Sequence, residues 1–288
     1  MTAPDLALSA RYRHPHGGRP GRVFASLLHA AAWTRIRRAL MRRLPMPALV
    51  SDVRDVVYLS WWVDLQHAPP APPGFQFVSH QGRTPYTILT YRHGHFGPAM
   101  AGPLRGVMPS PLQSNWRWYL RRDGDPGGTP VVLFDRNLMD SLLHVVAARA
   151  SSDAMQPHLP RCFAHVVAAD GSGHTRIDGG QGSAPSLDVR WQRAADWTPP
   201  RAWADAFLDT AAMLDFIACQ DEAIARTHDA HWAATRIALP VALDSLQPLQ
   251  MEATVLCPHL QAMGVEGQVP LAFRLPAVPF RVVSERLL

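Results

Sequence analysis

Val56-Val57-Tyr58-Leu59-Ser60-Trp61-Trp62-Val63 is an apolar run with Ser60 as its one polar member. Its length and its content of valine and aromatic residues predict a buried strand. The body of the chain begins just before it, near Asp52. After it, His67 to Gly74 is a stiff proline connector, Ala-Pro-Pro-Ala-Pro-Pro-Gly following the histidine. Strand-like segments then recur at 75–80, 85–92, 114–121 and 130–135, with a Gly/Pro turn from Gly124 to Gly128 before the last of these. Asn137 to Ser151 reads as a helix capped by Asn137, with Leu138, Leu142 and Val145 on its apolar face. Short strands follow at 161–168, 174–178 and 186–192, and a helix from Arg201 to Ile217 entered through Pro199-Pro200. The segments 233–239, 249–256 and 270–283 return to strand-like composition. The 27 prolines disfavour a helical bundle. The sum predicts an α+β domain dominated by antiparallel sheet.

Charge divides the chain in two. Residues 1–50 hold nine arginines and one acid, Asp5, a balance of +8, whereas the remaining 238 residues hold nineteen arginines and twenty-two acids, a balance of −3. A body without net positive charge argues against nucleic acid as a partner. Residues 1–21 read as a disordered lead-in. From Arg22 to Leu44 the pattern is helical, with Trp33, Ile36, Leu40 and Leu44 on one face, Arg35, Arg38 and Arg42 opposite, and Pro45 and Pro47 as the stop. Residues 1–48 are therefore expected to form an appendage, and 49–288 the domain. The basic helix suits either docking on its own domain or contact, through residues 22–44, with an anionic membrane surface or an acidic protein. Cys162, Cys219 and Cys257 have neither disulfide nor zinc spacing, which suits a cytoplasmic protein. No apolar run is long enough to span a bilayer.

Several segments, taken in order, resemble the uncharacterised YqjF-like family of the acetoacetate-decarboxylase-like superfamily. They are Val56 to Asp64 with the following proline loop; Ser114-Asn115-Trp116-Arg117-Trp118-Tyr119-Leu120, similar to the family's Asn-x-Arg-x-Tyr strand; and Pro130 to Asp135. The helix ending Ala147-Ala148-Arg149-Ala150 and the segment Met155-Gln156-Pro157 continue the likeness. A fainter likeness runs through Asp215 to Arg226 and His231-Trp232. The resemblance covers about two-thirds of the chain and leaves out the N-terminal helix. It implies a barrel- or cone-like antiparallel sheet with packed helices and an internal pocket. It also implies that the Schiff-base lysine of true decarboxylases would fall between Ser151 and Pro157. This chain contains no lysine: all 28 basic side chains are arginine. A guanidinium stays protonated and forms no imine, so decarboxylation through a Schiff base is excluded by composition.

Arg117 and Arg149 are the candidate ligand-binding residues, because a buried guanidinium suits a carboxylate. Asn115 and Tyr119 share a strand face with Arg117 by the period of two. The structural alternative for both arginines is an internal ion pair with Asp135 or Asp140. His93 with His95, and His228 with His231, are the compact histidine pairs, but neither has the zincin spacing, and neither a metal nor a cofactor is expected. Three functions stay open. One is a binder of a small organic acid or an apolar ligand with an arginine anchor. Another is a lysine-independent lyase or hydratase acting on a keto or enol acid. The third is an interaction protein attached to membrane or partner through its basic helix.

Overall fold

The run at 56–63 lies inside a longer strand, Leu49–Asp64, that has a neighbour on each edge. The structure, a computed structural model, describes residues 6–41, 43, 48–125 and 127–288. Its helices are α1 (Leu6–Ser9), α2 (Gly18–Leu28), α3 (Ala31–Met41), α4 (Leu142–Ser151), α5 (Arg201–Ala204), α6 (Thr210–Ala218) and α7 (Pro258–Ala262). Its strands are β1 (Leu49–Asp64), β2 (Phe75–Phe77), β3 (Arg83–Arg92), β4 (Gly97–Pro98), β5 (Leu112–Arg122), β6 (Val131–Met139) and β7 (Cys162–Val167). They continue with β8 (Gly173–Asp178), β9 (Leu187–Arg193), β10 (Glu222–Arg226), β11 (Trp232–Ala238), β12 (Gln247–Met251) and β13 (Leu271–Leu287).

Strands β1, β3, β5, β6, β10, β11 and β13 follow one another edge to edge, and β13 pairs back with β1, closing a ring. Every neighbouring pair in the ring is antiparallel except β6 with β10. The sheet also continues from β13 through β12, β9, β8 and β7, and this extension covers the outside of the ring. Val57, Leu59, Trp61 and Val63 of β1 pack outward with Trp191, Val189 and Leu249. Val53, Val56, Tyr58 and Trp62 pack inward, with Met213, Leu214, Phe216 and Ile217 of α6 among their cluster. A strand buried on both faces has no polar alternation to show, which explains the unbroken run. Fully burying each such large side chain contributes roughly 1.5–3 kcal/mol.

Two bulges set which residues face inward. On β1 the register against β3 slips by one between Arg54 and Val57, and Asp55 there has φ 56°. That extra residue turns both Val53 and Val56 to the interior although they are three apart. On β6 the register against β5 slips between Trp116 and Arg117. The extra residue is Asp135, whose side chain meets partners on the outer face.

Several expectations need correction. The helix expected from Asn137 starts at Leu142, because β6 runs on to Met139; Asn137 is a strand residue and Ser141 holds the N-cap position without a side-chain cap bond. The helix expected over 201–217 is broken into α5 and α6, and Asp209 starts the second by accepting from the Ala212 amide at 2.8 Å. The lead-in is ordered where it is described: Leu6, Ala10 and Tyr12 are buried, and Tyr12 packs with Met139, Val145 and Leu159. The basic helix is two helices, α2 and α3, meeting at His29 and Ala30. Residues 1–5, Arg42, the expected stop at 44–47 and Pro126 lie outside the described residues. No helix among the described residues is long and apolar enough to cross a membrane.

Candidate ligand site

The inward faces of β1, β3, β5, β6, β11 and β13 enclose a small cavity of about 40 Å³, with room for a molecule of a few heavy atoms. Most of its wall is aliphatic or aromatic, from residues such as Val56, Leu89, Val132, Phe134 and Val278. The polar groups on the wall are Tyr58, Tyr91, Asn115, Arg117 and Thr235. Among the described residues that line it, none is a carboxylate or a histidine.

Arg117 sits at the centre of β5 and is buried. One of its terminal nitrogens, Nη2, donates to the Ile217 carbonyl at 3.0 Å and to Gln220 Oε1 at 2.8 Å. Ile217 lies at the end of α6, where the helix dipole favours a cation. The guanidinium also stacks near Tyr58 and Tyr119, at 5.8 and 5.5 Å from the ring centroids. Its Nε is buried and has no acceptor, and among the described residues it makes no ion pair. An unmet charged donor buried beside an apolar cavity is a costly arrangement.

The other polar groups are donors at neutral pH. Burial pushes the Tyr58 phenol up to about 12 and raises that of Tyr91 as well. Tyr91 Oη accepts from Asn115 Nδ2 at 3.1 Å, which leaves its own proton free to donate. Asn115 is oriented in turn by Gln113 Nε2 at 2.8 Å. Tyr119 lies deeper, its hydroxyl donating to the Ile217 carbonyl at 3.1 Å and bonded to the Thr87 hydroxyl at 2.9 Å. It braces α6 and does not reach the cavity wall.

Arg149 is elsewhere. It lies at the end of α4, buried, with Nε donating to the Pro157 carbonyl at 2.7 Å. Its Nη atoms meet the carbonyls of Ala10 and Gln156 and the Gln156 side-chain oxygen at 3.0–3.3 Å. Burial lowers its pKa to about 9, so it remains charged at neutral pH. The structure thus brings Asn115 and Arg117 to the cavity, puts Tyr119 beside them on the same strand face, and separates Arg149 from all three.

The ion pairs weighed as the alternative role of the arginines do not form. Asp135 accepts from Tyr86 Oη at 2.8 Å, His259 Nε2 at 2.7 Å and Arg136 Nη1 at 2.6 Å, all on the outer face of the ring. Burial alone would raise its carboxyl, but Arg136 and His259 hold it well below the usual range. Asp140 accepts from the Leu112 amide at 2.9 Å. His93 is buried between Ser51 Oγ and Gln113 Oε1, at 2.8 and 2.6 Å, while His95 is exposed at a turn with φ 51°. His228 packs against His29, the rings tilted with centroids 4.7 Å apart, and the more exposed His231 turns to Asp229.

Sequence reading missed Tyr58, Tyr91 and Met155 on the wall. Tyr58 carried a signal, since it alternates with Val57 and Leu59 across the buried strand. Met155 belongs to the stretch where the resemblance puts a reactive lysine, and it lines the cavity with a thioether. A larger open cleft of about 560 Å³ lies outside the ring, lined by Trp61, Trp197, Asp196, Glu252 and Glu266 among others. It is the more spacious of the two, but its polar groups do not converge on a buried cation.

With this geometry the chain can be set beside known proteins. No family model matches it, and no curated protein matches it. The enduracididine biosynthesis enzyme MppR with HEPES buffer bound is similar with a TM-score of 0.54 at 12% identity, over 85% of this chain and 88% of that one. The chain shares the MppR fold. MppR complexed with pyruvate gives a TM-score of 0.52 at 12% identity, over 85% and 91% of the two chains. An acetoacetate-decarboxylase-like enzyme from Sphingomonas wittichii RW1 gives 0.49 at 11% identity, over 84% and 93%. The expected class, an α+β protein built on a mainly antiparallel sheet with packed helices, is the observed one. At this identity the likeness to MppR is one of fold alone.

Proposed function

We propose that this protein binds a small organic acid in the cavity of its strand ring, with Arg117 as the anion anchor. The observation that carries the reading is the buried Arg117 Nε without an acceptor, on a wall that has no carboxylate to neutralise the guanidinium. A ligand carboxylate would neutralise the Arg117 guanidinium, while Tyr91 and Asn115 supply neutral hydrogen bonds. The aliphatic wall and the small volume favour a short acyl chain. MppR, on the same fold, has been seen with pyruvate and with the condensation product of pyruvate and imidazole 4-carboxaldehyde, which supports a small acid as the ligand class. No Schiff base can form, because the chain has no lysine and Met155 occupies the neighbouring wall. A lyase or hydratase would need an acid–base group at the ligand, and the buried tyrosines, held protonated, are poor candidates. The ordered segments of the YqjF-like resemblance coincide with β1, β5, β6 and α4, which supports that branch of the superfamily as its kin. Three free thiols support a reducing, cytoplasmic setting.

Titration calorimetry with a panel of short-chain keto acids tests the reading. The native protein should bind at least one of them, and Arg117→Lys should weaken it by about tenfold or more, because the forked geometry is lost although the charge is kept. Unchanged affinity in Arg117→Lys would make this arginine purely structural. Binding confined to neutral apolar molecules would have the same consequence.

A further inference from the structure

The basic N-terminal helices dock with the opposite orientation to the one that a helical wheel suggests. On α3, Arg37 is 4% exposed, and it and Arg38 are turned inward onto Asp153. Arg38 also pairs with Asp229, at 2.7 Å. The face expected to bury is outside: Trp33 is 41%, Ile36 59% and Leu40 49% exposed. On α2, Phe24, Ala25 and Leu28 pack against the cluster around Tyr12, whereas Val23 and Leu27 are more than half exposed. Two apolar rows therefore face away from the body.

Charge identifies what covers them. From residue 6 to residue 51 the chain has no acidic side chain. Arg11, Arg13, Arg19, Arg22, Arg35 and Arg43 are all exposed, and among the described residues none of them has a carboxylate partner. Arg19 precedes Val23 and Leu27 at intervals of four, and Arg43 follows Trp33, Ile36 and Leu40 at an interval of three. Each row thus carries arginine at one end, and Arg37 and Arg38 are consumed inside.

We infer that α2 and α3 form a docking surface for an anionic lipid bilayer. Trp33, Ile36, Leu40, Val23 and Leu27 enter the boundary between headgroups and acyl chains, and the exposed arginines meet lipid phosphates and carboxylates. The strand ring then sits at the membrane surface with its cavity inside the protein. This inference stands apart from the ligand reading, because none of its residues lines the cavity.

Co-sedimentation of the full chain tests it, using vesicles of phosphatidylcholine with phosphatidylserine against phosphatidylcholine alone. Binding should require phosphatidylserine and fall as salt is raised, since exposed charges are screened. Ile36→Asp with Leu40→Asp should abolish it while leaving the circular dichroism spectrum and melting curve unchanged, because both side chains are exposed. Arg19→Gln, Arg22→Gln and Arg35→Gln should each weaken it on the order of fivefold. The inference is overturned if the full chain ignores phosphatidylserine vesicles at low salt, or binds both vesicle types alike. It is also overturned if sedimentation velocity shows a dimer that the Ile36→Asp, Leu40→Asp variant dissociates, since a second copy would then cover the face.

Discussion

Arg117 and Arg149 are both buried, and among the described residues neither forms an ion pair with a carboxylate. Yet their surroundings differ in kind. Arg149 has each of its nitrogens on an oxygen, drawn from Ala10, Gln156 and Pro157. It ties the N-terminal segment to α4 and to the loop after it. Arg117 has one nitrogen committed, to Ile217 and Gln220, and a buried Nε without an acceptor. The contrast separates a cation used as a structural fastener from a cation left available to a ligand. Burial by itself does not make that distinction, and neither does residue type; the count of acceptors does.

The comparison is sharpened most by an all-or-none test. Met155→Lys would put a desolvated amine on the cavity wall, near the Arg117 charge, and both influences depress its pKa and expose a nucleophile. Incubation with acetoacetate and borohydride should leave one covalent adduct per chain by mass spectrometry, where the native protein leaves none. No adduct in a folded Met155→Lys variant would mean that keto acids do not enter the ring.

The next effect is on stability. Arg149→Met should cost about 3 kcal/mol in urea unfolding, because it strands several buried carbonyls. Arg117→Lys should cost less than about 1 kcal/mol, since an ammonium can still reach the end of α6. Equal costs would erase the distinction between fastener and anchor.

A smaller effect comes from pH. Burial lowers His29 to about 4, and both burial and Arg149 keep His158 well below its ordinary value. These histidines are neutral in the fold, and the unfolded chain takes up their protons first. The stability that they contribute is intact above about pH 6.5 and is lost as pH falls from there towards 4. Burial lowers His93, held between Ser51 of β1 and Gln113 of β5, to about 4 as well, so the ring shares this acid sensitivity. Urea unfolding should therefore give a lower stability at pH 5 than at pH 7, and equal values would show that the fold does not hold these histidines neutral.

Legibility followed the local strength of each signal. The runs that became β1, β3, β5 and β6 could be read because apolar and aromatic residues dominate them. The shared inward face of Asn115, Arg117 and Tyr119 followed from strand periodicity. Glu222–Arg226 was not read as a strand, because Glu-Ala-Ile-Ala-Arg favours a helix locally. Its pairing with β6 and β11 and its burial overrode that preference. The orientation of α3 was missed for a similar reason. A helical wheel ranks faces by hydropathy, and Asp153 and Asp229, distant in sequence, reversed the ranking by pairing with Arg37 and Arg38.

Composition alone determined the chemistry that this chain lacks: without lysine there is no imine, whatever the fold around it. Pattern alone determined that the middle of the chain is sheet and that its positive charge is concentrated at the N-terminal end. Tertiary structure decided the rest, because acceptors for a buried cation come from carbonyls, helix ends and side chains scattered along the chain. Only the closing of β1 onto β13 creates an interior for Arg117 to face, and only the docking of the N-terminal segment gives Arg149 the oxygens that occupy it.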